Sequence, residues 1–231
     1  MTPDEFALSA HQLGLNLTLL QRDQFVSYCH FLVEYNRHTN LTTITEPTQI
    51  YLKHFYDSLT ILRVTDLADV NNLLDIGSGP GFPGMVLKIA HPNINVTLLD
   101  SNNKKIKFLN ELSTKLDLSV ELVNTRAEEY ARSHREQFDI VTSRAVASLP
   151  ILSELALPLV KQGGDFIAMK SHAVEEITAS KNAIPKLGGK IDQIKEFELD
   201  GAVRTLVKIH KVRPTPTKYP RDYGAIKKRP L

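Results

Sequence analysis

Hydrophobic positions recur at three- and four-residue steps through the first part of the chain. Between Leu19 and Tyr35 they are occupied by Leu20, Phe25, Tyr28, Phe31, Leu32 and Tyr35. This spacing places their side chains on one face of an α-helix. A second amphipathic stretch runs from Ile50 to Leu62. The pattern therefore predicts a helical N-terminal segment over residues 1–65.

The pattern changes at residue 72, where short apolar runs begin to alternate with amphipathic stretches. The predicted strands are NLLDI (72–76), NVTLLD (95–100), LSVELVN (118–124), FDIVTS (138–143), GGDFIAMK (163–170), GKIDQIKEFEL (189–199) and VRTLVKIHKV (203–212). The predicted helices between them are residues 83–91, NKKIKFLNELSTKL (103–116) and Ile151–Lys161. This alternation indicates βαβ units and a mostly parallel sheet. It predicts an α/β core over residues 66–212, followed by a tail rich in proline and basic residues over residues 213–231.

The strongest local motif is LLDIGSGPGFPG, residues 73–84, in which a buried strand runs into Gly77, Gly79, Gly81 and Gly84. Glycine lets a backbone turn tightly and approach a ligand closely. The helix that follows directs its N-terminal amides at that ligand. Ligands of open α/β sheets bind beyond the carboxyl ends of the strands. The motif therefore predicts a nucleotide-type cofactor at this turn.

Two acidic residues favour S-adenosylmethionine over NAD as that cofactor. The last three glycines also satisfy the dinucleotide motif G-x-G-x-x-G, which alone is a weak signal. Asp75, two residues before the first glycine, is typical of methyltransferases, and Pro80 and Pro83 stiffen the turn. Asp100 ends the second strand, where a carboxylate accepts ribose hydroxyls in both kinds of fold. A NAD-dependent oxidoreductase stays open as an alternative, although no hydride-transfer residue is evident.

The sequence RAEEY, residues 126–130, follows the third predicted strand. Adenine is commonly held at this place between an apolar side chain and a polar contact to its edge, and Ala127 and Glu128 fit these two roles. The alternative is an ordinary helix start whose acidic residues favour the helix dipole.

The methyl acceptor is expected beside the fourth strand, in FDIVTSRAVASLP. This stretch has no Asn/Asp-Pro-Pro-aromatic box and no cysteine nucleophile, and Cys29 is expected in the core. These absences favour an acceptor that is already nucleophilic, such as guanine N7, which carries an exposed lone pair and needs no base to remove a proton. We therefore assign no catalytic residue and expect catalysis by positioning and exclusion of water. Arg144 and Lys170, at the ends of the fourth and fifth strands, either bind phosphate, a base or the cofactor, or form surface ion pairs.

Charge is concentrated at the C-terminus, although the net charge is only +2. Residues 208–231 hold eight lysines and arginines against Asp222 alone, which is typical of contact with a polyanion or of a solvated tail. The candidate residues there for contact with a polyanion such as RNA are Lys218, Arg221, Lys227, Lys228 and Arg229. Tyr219 and Tyr223, interleaved with them, either stack on bases or pack the tail onto the body.

The cysteine count and the length of the apolar runs indicate the cellular compartment. A single cysteine fits a reducing compartment, and we find neither a secretion signal nor an apolar run of roughly 20 residues that would span a bilayer. We therefore expect a cytoplasmic protein without a membrane partner, and we predict no metal site.

Taken together, these motifs resemble the RsmG family, also known as glucose-inhibited division protein B, over nearly the whole chain. The segments that carry the resemblance are NLTTI (40–44), LLDIGSGPGFPG (73–84), SRAVASL (143–149), AMKS (168–171) and KYPRDYGAIKKRPL (218–231). Two of them depart from the usual family pattern. AMKS replaces AMKG or ALKG, and Gly-Ala-Ile-Lys-Lys replaces the frequent Gly-x-Pro-x-Lys.

The resemblance implies a Rossmann-like class I methyltransferase with a seven-stranded sheet, which transfers a methyl group from S-adenosylmethionine to guanine N7 in the decoding-region hairpin of bacterial 16S ribosomal RNA. The implied partner is that RNA or the small ribosomal subunit, and we expect a monomer. The implied cofactor contacts are Gly77, Phe82, Ala127, Glu128 and Arg144, to which the fold adds Asp75, Gly79 and Asp100. Asn40, His54, Asp57 and Ser58 also match family positions, without a role that the sequence defines. A non-catalytic ribosome assembly factor is the second alternative.

Overall fold

The computed structural model describes residues 1–231. The strands are β1 (Asn72–Ile76), β2 (Asn95–Leu99), β3 (Glu121–Val123), β4 (Phe138–Arg144), β5 (Val160–Lys170), β6 (Gly189–Leu199) and β7 (Ala202–Lys211). The helices are α1 (Pro3–Gln12), α2 (Leu19–Thr39), α3 (Pro47–Ile50), α4 (Asp57–Leu59), α5 (Gly84–Ala90), α6 (Asn103–Leu116), α7 (Ala127–Tyr130), α8 (Leu149–Ala156), α9 (Val174–Ala179), α10 (Ala183–Lys186) and α11 (Tyr223–Lys228). A π-helical stretch, Tyr51–Tyr56, joins α3 to α4, and the 3₁₀ turn Thr60–Arg63 follows α4. None of the helices is both long and apolar enough to cross a membrane.

All seven strands form one sheet in the order β3-β2-β1-β4-β5-β7-β6. Strands β1 to β5 are parallel, and β7 pairs antiparallel with both β5 and β6. Parallel strands are covered on both faces, which explains why β1 and β4 read as continuous apolar runs. Asp200 and Gly201 join β6 to β7, and both have positive φ angles, as a two-residue hairpin turn requires. The α/β class and the seven-stranded, mostly parallel sheet predicted from the sequence are confirmed.

An aromatic cluster packs the N-terminal helices onto the loop that follows β1. The ring centroids of Phe6 and Phe25 lie 4.8 Å apart, and those of Phe25 and Phe55 lie 5.1 Å apart. The Tyr28 ring stacks on Phe82, in the glycine-rich loop, at 5.5 Å. Because these rings are buried, the N-terminal helices and the sheet share one hydrophobic core.

Two local predictions were wrong. Leu20 is 69% exposed, because a separation of five residues turns it away from the helix face that buries Phe25. The helix predicted over Ile151–Lys161 ends at Ala156. Leu157 still has helical backbone angles, but Pro158 follows it and has no backbone N–H with which to continue the helical hydrogen bonds.

The C-terminal segment, residues 213–231, is packed against the core. Tyr219 and Ile226 are buried. The guanidinium of Arg221 donates two hydrogen bonds, of 2.8 and 2.6 Å, to the carboxylate of Glu154, and the Arg221 backbone N–H donates a third of 3.0 Å. Glu154 lies in α8 and is fully buried. The prediction that Arg221 contacts RNA is therefore replaced by a structural role, since its charge neutralises a buried carboxylate.

We expect Arg221→Met to lower the free energy of unfolding by about 3 kcal/mol, because it leaves the buried Glu154 carboxylate without its ionic partner. Urea denaturation followed by circular dichroism measures this change. The matched control is Lys227→Ala, an exposed residue of the same segment, which should change stability by less than about 0.5 kcal/mol. An equal effect of the two variants would contradict the role assigned to Arg221.

Candidate functional site

A cleft of about 450 Å³ opens at the carboxyl ends of β1, β2 and β4. The residues predicted as cofactor contacts that line it are Gly77, Gly79, Phe82, Asp100, Ala127, Glu128 and Arg144. The remaining predicted contact, Asp75, is fully buried beneath the glycine-rich loop. The topology thus brings the ends of three strands and the loop together at one place.

The glycines of the loop serve two different purposes. Gly77 and Gly79 have φ angles of +69° and +58°, a backbone region that favours glycine. A Cβ on Gly79 would meet no atom closer than the Gly77 carbonyl oxygen, at 3.9 Å, so this face of the loop is open. A Cβ on Gly81 would lie 2.6 Å from the Tyr28 hydroxyl. Gly79 therefore leaves room for a ligand, whereas Gly81 lets the N-terminal helices approach the loop.

Asp75 holds the loop from below. Its Oδ2 accepts a 2.9 Å hydrogen bond from the Gly84 backbone N–H, at the start of α5, and its Oδ1 has no hydrogen-bond partner. Burial away from water disfavours the charged carboxylate and raises the pKa of Asp75 to about 7. The side chain thus joins the end of β1 to the helix that follows the loop.

Asp100, at the end of β2, anchors the loop from the side. Its Oδ2 accepts the Gly79 N–H at 3.0 Å and its Oδ1 accepts the Asn102 N–H at 2.8 Å. The Lys105 ammonium lies 3.4 Å from Oδ2. A carboxylate oxygen can accept more than one hydrogen bond, so Asp100 shapes the loop and keeps capacity for a ligand hydroxyl.

A corner of the cleft is formed by residues that are far apart in sequence. Ala127 and Glu128 begin α7, and burial raises the pKa of Glu128. Tyr223, from α11, lines the cleft beside them, and the Arg126 guanidinium lies 5.1 Å from the centre of its ring. The alternation of tyrosines with basic residues was visible in the sequence, but nothing in that pattern placed Tyr223 at this cleft.

Arg144, at the end of β4, joins the core to the N-terminal helices. Its Nη1 donates to the Asp57 carboxylate at 2.8 Å and to the Lys53 carbonyl at 3.0 Å, and its Nη2 donates to His54 Nδ1 at 3.2 Å. Asp57 also accepts a 3.0 Å hydrogen bond from Arg204 Nε. Because Asp57 is only 4% exposed, a surface ion pair is the wrong description of Arg144. The role of Asp57, which the sequence did not define, is to bridge the two arginines.

His54 lies in the π-helical stretch and stacks on Phe82, with ring centroids 4.4 Å apart. Burial, followed by the nearby Arg144 charge, lowers the pKa of His54 to about 3, so its imidazole is neutral. Since Nδ1 accepts from Arg144, the proton is assigned to Nε2, which donates to Thr42 Oγ1 at 2.9 Å. The side chain of Asn36 holds the Thr42 backbone through hydrogen bonds of 2.8 and 3.0 Å. The NLTTI segment is thereby held at the edge of the cleft.

A second cleft, of about 400 Å³, adjoins the first and shares His54, Arg144 and Ala145 with it. Lys170 and Arg204 also line it. The Lys170 ammonium donates to the Ala147 carbonyl at 2.8 Å and pairs with Glu176 at 2.9 Å. The other basic residues predicted to bind RNA, Lys218, Lys227, Lys228 and Arg229, are exposed and outside both clefts.

Comparison with known proteins identifies the family. The model of the rRNA small subunit methyltransferase G family matches residues 21–206. This chain belongs to that family. Proteins named ribosomal RNA small subunit methyltransferase G are 48% identical to it in Ligilactobacillus salivarius, over all of both chains, and 45% identical in Bacillus licheniformis, over all of this chain and 99% of the other. The relative of that name from Bacillus subtilis is 44% identical over 100% of this chain and 99% of its own.

Solved structures with the same fold are more distant in sequence. TrmN from Thermus thermophilus superposes with a TM-score of 0.56 at 18% identity, over 67% of this chain and 48% of that one. A 16S rRNA (adenine(1408)-N(1))-methyltransferase with bound S-adenosylmethionine, from Catenulisporales acidiphilia, gives a TM-score of 0.52 at 13% identity, over 63% and 87%. These likenesses place the sheet of this family member among the class I methyltransferase folds.

We expect Asp75→Asn to alter how stability depends on pH. The unfolded carboxyl ionises near 3.8, whereas the folded one keeps its proton up to about pH 7. Between these values the unfolded state binds fewer protons, so the contribution of Asp75 to stability falls as pH rises. The asparagine oxygen can still accept from Gly84 without carrying charge. The stability of the variant relative to the native chain should therefore increase from pH 4 to pH 8.

Urea denaturation at pH 4, 5, 6, 7 and 8 measures this difference. Asp69→Asn is the matched control, because Asp69 is exposed, and its stability difference should stay nearly constant over the same range. A constant difference for Asp75→Asn as well would contradict the raised pKa.

Proposed function

We propose that this protein transfers the methyl group of S-adenosylmethionine to N7 of a guanine in the decoding-region hairpin of 16S ribosomal RNA. Its family membership makes it an S-adenosylmethionine-dependent methyltransferase of small-subunit ribosomal RNA. The observation that carries the finer assignment is the arrangement of the two clefts. One has the glycine-rich loop and the other is lined by basic side chains, and they share His54, Arg144 and Ala145.

The first cleft fits the chemistry of the cofactor. Gly79 presents an open backbone face, and Asp100 retains lone pairs for the ribose hydroxyls. Ala127 and Glu128 supply an apolar surface and a polar group at the corner proposed for adenine. When bound, S-adenosylmethionine supplies an electrophilic methyl group on its sulfonium.

The state of His54 favours an acceptor that needs no base. Both nitrogens of its imidazole are engaged, Nδ1 by Arg144 and Nε2 by Thr42. The ring is therefore not free to remove a proton from a substrate. Guanine N7 has a lone pair and no proton to lose. The residues of the site then act by holding the acceptor in line with the methyl group and by excluding water.

We place the target guanine in the second cleft. Its volume lies within the range of about 300–1,000 Å³ typical of small-molecule sites. Lys170 and Arg204 supply donors for the acceptor atoms of a guanine, and Phe197 supplies an aromatic surface. Because N7 is out of reach in the deep, narrow groove of regular A-form RNA, the target base is unpaired or flipped out of its stack.

The natural partner in this proposal is 16S ribosomal RNA or the small subunit, bound in the cytoplasm by a monomer of this chain. The exposed Lys218, Lys227, Lys228 and Arg229 supply positive charge outside the clefts for the phosphate backbone. Arg221 is no longer among these contacts, since its guanidinium is bound to Glu154.

The decisive experiment maps 7-methylguanosine in 16S ribosomal RNA from cells with and without this protein. We expect one modified guanine in the decoding-region hairpin to be lost with the protein and restored by the purified enzyme with S-adenosylmethionine. An unmodified RNA in both strains would favour the non-catalytic assembly factor. Modification at another atom of the base, detected by mass spectrometry of nucleosides, would contradict the N7 assignment.

We expect the triple variant Lys227→Ala, Lys228→Ala, Arg229→Ala to bind RNA more weakly and with a shallower salt dependence. Each lost phosphate contact should reduce the slope of log affinity against log salt by about 0.7–1. A salt titration of binding to the target hairpin measures it. Lys195→Ala, on the exposed face of the edge strand β6, is the control and should leave the slope unchanged. A native slope in the triple variant would place the RNA on another surface.

A further inference from the structure

The C-terminal helix reaches the cofactor cleft. Tyr223, the first residue of α11, lines the cleft together with Ala127 and Glu128. We propose that Tyr223 forms the outer wall of the adenine end of this cleft and contacts the adenine ring of the cofactor. This inference rests on the proposed function, because it takes the cleft as the S-adenosylmethionine site.

The position of Tyr223 is fixed from both sides along the chain. Two residues before it, Arg221 binds the buried carboxylate of Glu154. Three residues after it, Ile226 is fully buried in the hydrophobic cluster beneath α8. Asp222, at the N-terminus of α11, pairs with Arg132 at 2.5 Å. A residue held between two such anchors keeps its place in the wall of the cleft, and its side chain loses little entropy when a ligand binds.

The surroundings of Tyr223 suit a flat, neutral aromatic ligand. The Arg126 guanidinium lies 5.1 Å from the ring centre and so takes part in a cation–π contact. Ala127 and Leu155 line the same cleft and supply apolar surface. The tyrosine is only half buried, so part of its ring is available to a ligand. Stacking or edge contact between a base and an aromatic side chain is favourable whatever the identity of the base.

Two other residues of α11 can serve as controls for Tyr223. Lys227 and Lys228 belong to α11 but are exposed and do not line the cleft. A change in cofactor affinity that is confined to Tyr223 therefore reports on the wall of the cleft rather than on the charge of the segment.

The test is isothermal titration calorimetry of S-adenosylmethionine, S-adenosylhomocysteine and adenosine with Tyr223→Ala, Tyr223→Phe and Lys227→Ala. We expect Tyr223→Ala to weaken all three ligands by a similar factor, roughly five- to a hundredfold, the loss typical of one base–aromatic contact. Tyr223→Phe and Lys227→Ala should bind all three ligands within about twofold of the native affinity. A twofold change is smaller than the loss expected when one base–aromatic contact is removed.

The equal loss for adenosine is the decisive part, since this ligand has no methionine moiety. A Tyr223→Ala variant that binds S-adenosylmethionine within twofold of the native chain would overturn the inference. So would a loss for S-adenosylmethionine that adenosine does not share, because the contact would then lie outside the adenine. If the alanine variant does not fold, Tyr223→Leu keeps apolar volume without the π-face, and the same titrations apply to it.

A second readout is the rise in melting temperature that each ligand produces, which depends on affinity and not on turnover. It should be smaller for Tyr223→Ala than for Tyr223→Phe at equal ligand concentration, and equal rises would contradict the contact. Failure of the native chain to bind S-adenosylmethionine would instead contradict the proposed function. The two outcomes are therefore distinguishable.

Discussion

The buried carboxylate of Asp57 connects the parts of the molecule from which both clefts are built. It accepts hydrogen bonds from Arg144 at the end of β4 and from Arg204 in β7, while its own helical turn belongs to the N-terminal segment. A buried carboxylate is costly unless it is paired and hydrogen-bonded. The pairing therefore favours a single arrangement of the N-terminal segment relative to the sheet. The positions of His54 and Phe82 depend on that arrangement.

Aromatic packing on one side and two carboxylates on the other hold the glycine-rich loop in place. Tyr28 and His54 stack on Phe82, and Gly81 has no side chain that would hold the N-terminal helices away. On the other side, Asp75 and Asp100 bind backbone N–H groups of the loop and of α5. The glycine-rich loop is consequently preorganised before any ligand is present, which lowers the cost of binding.

Two groups of basic residues differ in their partners. Arg144, Arg204 and Arg221 are each bound to a buried carboxylate, and all three contribute to the geometry of the fold. The lysines and the arginine after Ile226 have exposed side chains. Of these two groups, only the second can follow a phosphate backbone without leaving a buried carboxylate unpaired. A count of basic residues near the C-terminus therefore overestimates the positive charge that RNA can meet.

The sequence by itself determined the elements of the core and the glycine-rich loop, because their signals are local. The helix predicted over residues 103–116 and the strands predicted over 72–76 and 189–199 have the bounds that the structure shows. Apolar periodicity and turn residues act within a few positions of each other, so they can be recognised without knowledge of the fold.

The tertiary structure alone decided where Asp57, Arg221 and Tyr223 lie and which side chains they meet. Arg144 meets its carboxylate 87 residues away in the chain, and Arg221 meets Glu154 at a separation of 67 residues. An isolated arginine has the same appearance in a sequence whether it binds a buried acid or RNA. Its role depends on which side chain the fold brings within hydrogen-bonding distance, and that depends on the order of strands in the sheet and on the burial of the partner.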